Sequence, residues 1–149
     1  MHSYRVSDDF RKPMDPGAEG AQWFDFLGIQ STGHGKQFPI DVTYVDPSSP
    51  ITKGLENWTT GNEELYNNVS VRPTITPIAI GKQGGSEAVI TWTNAYGDKK
   101  TRVFSTTLGH NNETIADARY LDFVTRRLLR ACGKLDNDGK PVAGYGAVK

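Results

Sequence analysis

The chain has 149 residues, enough for one domain with one core, and its 17 basic and 17 acidic residues cancel. No basic block stands out, which argues against a nucleic-acid partner, and no apolar run approaches the length of a membrane span. The single cysteine, Cys132, excludes an intrachain disulfide and argues against a cysteine-rich zinc site.

The chain opens Met1-His2-Ser3-Tyr4-Arg5, without the apolar core of a signal peptide, so cytoplasm and periplasm both stay open. Residues 5–18 are polar, carry Pro13, Pro16 and Gly17, and read as a loop. Residues 19–27 form a short predicted helix with Trp23, Phe26 and Leu27 on one face and Gly28 as C-cap. A loop over 31–37 precedes a strand over 38–45, in which Phe38, Ile40, Val42 and Tyr44 alternate. A turn at Asp46–Pro50 leads to a helical turn stopped by Gly54. Glu64-Leu65-Tyr66 starts an extended segment. Residues 71–80 are extended too, with Pro73 and Pro77 demoting them to an edge or irregular strand.

Residues 81–86 read as a mobile loop. Strands over 87–93 and 102–108 form an antiparallel hairpin whose connection is longer than the tight two-residue kind. The terminal helix carries Leu121, Val124, Leu128 and Ala131 at helical spacing, with Tyr120 and Cys132 flanking and Cys132 packing in the core. Asp117 is its N-cap, with Thr114 as the alternative, and Gly133 its stop. Arg126, Arg127 and Arg130 crowd its last turns, where cations complement the helix dipole. Residues 134–149 read as a flexible tail.

Between the last strand and this helix stands "TLGHNNET", residues 107–114. Strand-to-helix corners are where α/β proteins gather ligands. The bland alternative is a well-capped turn, with His110 and Glu113 capping the helix.

Several stretches resemble one family. "SSPITKGLENW", "NEELY", "ITWTNAYG", "RVFSTTLGHNNET" and "DARYLDFVTRRLLRACG" follow the order and spacing of the ThuA-like (trehalose utilisation) domain, and "MHSYR" and "WFDFLGIQSTGHG" resemble its earlier segments. The resemblance covers residues 1–133 and implies an α/β fold: a partial, amidotransferase-like (flavodoxin-like) sandwich. It implies a mixed sheet with a C-terminal helix, of which the chain holds the C-terminal portion, the first βα units missing. It also implies a role in carbohydrate metabolism.

In amidotransferases of this architecture a cysteine nucleophile is activated by a late His and Glu. The resemblance puts His110 and Glu113 at that late position, as candidate catalytic residues, and Ser3 near the nucleophile turn. No cysteine is placed to complete the set. The three histidines all fall on family motifs, and Glu64 on another. His2, His34, His110 and Glu64 are therefore candidate ligands of a divalent metal such as zinc, with Asn111, Glu113 and Asp41 as supporting partners. Tyr66, Trp58 and Asn111 are candidate substrate residues, because flat rings stack on a sugar while polar neighbours bind its hydroxyls. Trp92, inside an alternating strand, reads as packing. The expected partner is a small carbohydrate, with self-association through an exposed sheet edge. A non-catalytic remnant that binds sugar or another subunit is the second reading.

Overall fold

The computed structural model describes residues 12–146. Helix α1 (Gln22–Leu27) ends at Gly28, whose φ of 92° is the left-handed cap that glycine adopts without strain. Two short strands, β1 (Ile29–Gln30) and β4 (Ser70–Val71), pair with each other. The main sheet holds β2 (His34–Tyr44), β3 (Trp58–Tyr66), β5 (Ile75–Gln83), β6 (Ser86–Tyr96) and β7 (Thr101–Thr106) in the order β3-β2-β5-β6-β7. Helices α2 (Asn112–Ala116) and α3 (Ala118–Ala131) follow. The fold is α/β, and every strand pairing among the described residues is antiparallel, so within this span the sheet is not mixed. No helix among them is long and apolar enough to cross a membrane.

Alternation sets the core. Ile40, Val42 and Tyr44 of β2 are buried with Ile78 of β5, Ala88 and Ile90 of β6, and Phe123 of α3. Strand β2 begins at His34, earlier than its apolar pattern, because residues 34–37 are exposed and carry no alternation to read, and Phe38, expected on the buried face, is 55% exposed. Most of β3 was not anticipated, because Gly61 and Asn62 interrupt its polar first half.

Strand β5 is interior, not an edge. Its proline is tolerated because β2 pairs with β5 only from Ala79 onward, and Pro77 falls at a register shift against β6. The loop expected over 81–86 is mostly strand: Gln83 pairs with Ser86 across a two-residue turn in which Gly84 has φ 59°. The β6–β7 hairpin has the longer connection expected, over Gly97–Lys100.

The terminal helix is broken at Asp117, which caps α3 by accepting from the Arg119 N–H. Hydrogen bonds from the Arg119 side chain hold the Asp117 carboxyl down at about 2. The buried face of α3 is the expected one only in part: Val124 and Tyr120 pack against the core. Phe123 and Arg127 are buried, while Leu121 is 50% and Leu128 63% exposed. Two apolar faces compete on this helix, and the sheet takes the one carrying the larger Phe123. Gly133, with φ 69°, ends the helix as expected, but Cys132 is exposed rather than packed in the core. Beyond it Leu135 turns back into the core and bridges to Pro141. On α1 the buried aromatic is Phe24, whereas Trp23 is 42% exposed and stacks on Phe26.

Candidate functional site

Four residues of β2 and β3 meet at one end of the sheet. His34 lies opposite Tyr66, and Gln37 opposite Glu64. Glu64 and Tyr66 are two apart in a strand and so share a face. The Glu64 Oε2 stands 3.6 Å from His34 Nδ1 and 3.5 Å from His110 Nδ1. It also accepts from the Tyr66 hydroxyl at 3.4 Å. Its Oε1 accepts from the Gln37 amide at 3.3 Å, and that same amide nitrogen stands 2.8 Å from His110 Nε2. One carboxylate thus gathers two imidazoles, a phenol and an amide.

The network assigns the protons. A carboxylate only accepts, so Gln37 turns its NH2 toward Glu64. That NH2 then donates to His110 Nε2, and the neutral His110 ring carries its proton on Nδ1, facing Glu64. His34 Nδ1 stands 2.9 Å from the Gly35 carbonyl, also a pure acceptor, so Nδ1 is the protonated atom there too. In the neutral ring that tautomer leaves the lone pair on Nε2. Burial, and next the charge of Glu64, push the Tyr66 phenol above the ordinary tyrosine value, so it stays a donor.

The position of His110 depends on a residue that sequence reasoning passed over. Glu63 is fully buried, and its carboxylate accepts three successive backbone N–H groups: Gly109 at 3.2 Å, His110 at 3.0 Å and Asn111 at 3.0 Å. Gly109 makes the turn possible with φ 112°. Neighbouring strand residues point to opposite faces. Glu63 therefore takes the backbone of the corner while Glu64 takes its imidazole.

Beside this cluster opens a cavity of about 470 Å³. Trp23, Phe24 and Leu27 of α1 and Trp92 of β6 form apolar wall, and His34, Tyr66 and His110 line it as well. The wall is fixed: the Trp92 indole donates to the Leu27 carbonyl at 2.7 Å, and the Asn94 amide to Asp25 and Phe26 carbonyls at 2.8 and 2.9 Å. These side chains satisfy carbonyls that a helix C-terminus leaves free.

Of the residues singled out from the sequence, the structure brings together His34, Glu64, Tyr66 and His110. His2 and Ser3 lie outside the described residues. Asn111 caps α2 by accepting from the Glu113 N–H at 2.8 Å. Glu113 lies against Gly61 of β3, where a Cβ would stand 3.0 Å from its Oε2. Trp58 is buried in the core with the Arg119 guanidinium 4.8 Å over its ring. Asp41 accepts from Thr59. Among the described residues no three His, Cys, Asp or Glu side chains close a metal ligand set. Gln37 and Glu63 were missed: the amide gave no signal, and the acid pair in "NEELY" showed only that one carboxylate mattered.

Residues 14–129 match the family model ThuA, described as trehalose utilisation. The chain is similar to a solved thua-like protein from Parabacteroides merdae ATCC 43184, with 26% identity and a TM-score of 0.50 over 73% of this chain and 42% of that one. It therefore spans less than half the length of that neighbour. No curated protein matches it.

Proposed function

The chain belongs to the ThuA family, described as trehalose utilisation, and from that membership we propose that it binds a small carbohydrate of the trehalose type and acts on it by proton transfer. The observation that carries this is the convergence on Glu64 of the His34 and His110 Nδ1 atoms, at 3.6 and 3.5 Å, in residues beside the cavity. His34 Nε2 takes a proton from a sugar hydroxyl. The Gly35 carbonyl, accepting from Nδ1 at 2.9 Å, orients the ring, and the Glu64 carboxylate 3.6 Å away stabilises the imidazolium that forms. His110 rests on the same carboxylate and shares its charge. Tyr66 donates to a sugar oxygen. Trp23, half exposed on the cavity wall, offers a flat face to a pyranose.

A divalent metal is the second reading, favoured by one observation. A tetrahedral centre with bonds of about 2.0–2.1 Å separates its ligands by roughly 3.4 Å, close to the two imidazole–carboxylate separations. The donors do not close around an ion as they stand, since His34 Nδ1 turns to Gly35 and His110 Nε2 to Gln37. Were an ion held, His34, Glu64 and His110 would hold it, with His2 as the fourth candidate. It would supply an activated water or a polarised oxygen.

Calorimetry with trehalose, followed by chromatography of the incubated sugar, tests the proposal. Saturable binding that weakens at least tenfold in Glu64→Gln is expected. Binding with no chemical change points to the non-catalytic remnant and overturns the proton-transfer reading. Absence of binding to folded protein overturns both. Zinc titration decides the second reading: about one ion per chain, lost in both His34→Ala and His110→Ala, supports it.

A further inference from the structure

Glu63 is a charged side chain with no exposure to water, which is costly unless its oxygens are fully met. What meets them is backbone. The N–H groups of Gly109, His110 and Asn111 converge on the carboxylate at 3.2, 3.0 and 3.0 Å. Successive N–H groups in a turn make the kind of concavity that takes an anion. We infer that Glu63 is the protein's own anion in such a nest, and that it is the positioning residue for His110.

The mechanism is a clamp built from adjacent residues of one strand. Glu63 fixes the His110 backbone and Glu64 faces its Nδ1, so imidazole and carboxylate are registered to the same rigid element. The corner has little other freedom. Gly109 sits with φ 112°, and a Cβ there would stand 2.9 Å from the Tyr120 hydroxyl. Glutamine at position 63 keeps the shape but not the chemistry. One of its two polar atoms becomes a donor, which leaves backbone N–H groups facing an N–H. The corner then moves, and with it the imidazole. The importance of His110 rests on the function proposed above, but its anchoring does not.

The experiment reads the anchor directly. In Glu63→Gln, amide hydrogen exchange at Gly109, His110 and Asn111 should quicken at least tenfold, while the β6 amides of Thr91 and Asn94 keep their rates. The nitrogen NMR pattern of the His110 ring should change as well. It should report a single Nδ1–H tautomer in the native protein and a mixture in the variant, a change that general loosening elsewhere would not produce. Gly109→Ala, which disturbs the corner with Glu63 intact, should give the same mixture and covers the case that Glu63→Gln does not fold. Unchanged exchange at the three amides, or a His110 ring that keeps its single tautomer in the folded variants, overturns the inference. No sugar is needed for these readouts. A protein that fails to bind trehalose yet shows them has lost the proposed function and kept the anchor.

Discussion

The guanidinium carbon of Arg127 lies 3.5 Å from the centre of the Phe123 ring, and the Phe104 ring lies 5.3 Å from it on α3's contact with β7. The residue is 1% exposed, and none of its three guanidinium nitrogens has a hydrogen-bond partner among the described residues. Burial pushes its pKa down to about 8, while the ring faces favour the cation.

Arg127→Met should therefore be neutral or stabilising, by roughly 1–3 kcal/mol, as when other buried charges give way to apolar residues of similar size. The pH dependence has a definite sign. The folded pKa lies below the unfolded one, so the unfolded chain binds the extra proton between them, and stability rises with pH in that window. Native Arg127 is most costly below pH 8, and the advantage of the variant should shrink as pH climbs from 8 toward 10. Chemical denaturation at pH 7, 8.5 and 10 measures this. An advantage that grows with pH contradicts it.

On the same helix, Leu121→Lys and Leu128→Lys should each change stability by less than about 0.5 kcal/mol, because both side chains already face water. Phe123→Ala should cost about 3–5 kcal/mol. Thermal unfolding ranks the three, and a large loss in either lysine variant would mean that the helix is turned the other way.

Those leucines show what the sequence conveyed and where it stopped. Helix existence, the Asp117 cap and the Gly133 stop were legible because they depend on local chemistry. Which face is buried was not, because Leu121/Leu128 and Phe123/Arg127 both satisfy helical spacing and the sheet decides between them. The site divides in the same manner. Histidines are rare enough to notice, so His34 and His110 stood out. That Glu64 rather than Glu113 stands beside His110 depends on the pairing of β2 with β3, a contact between distant segments.

The two glutamates are separable by experiment. On the proposed proton transfer, Glu64→Gln should lower turnover of the sugar at least a hundredfold with folding intact, since the imidazolium loses its counter-charge. Glu113→Gln, on a side chain that lies against Gly61, should leave turnover within about twofold. The reverse ranking in a steady-state assay would return the catalytic carboxylate to position 113.

Among the described residues, strand β7 has one sheet neighbour, β6, and β3 has one, β2. The β3 edge lies near α2, and β7 lies near α3 and α1, and an edge strand is where a second chain could pair. Light scattering across a concentration series should show self-association. A monodisperse monomer at every concentration would mean that the β7 edge is adequately covered by its own chain.

The ties from Trp92 and Asn94 to the last carbonyls of α1 bear on kinetics. A wall bolted to the middle of a sheet cannot swing as a lid. Among the described residues, the α1 wall then contributes no gating step to ligand exchange at this cavity. If the proposed sugar binds here, enlarging Leu27 or trimming Trp23 should change which sugars enter before it changes how fast any of them leaves.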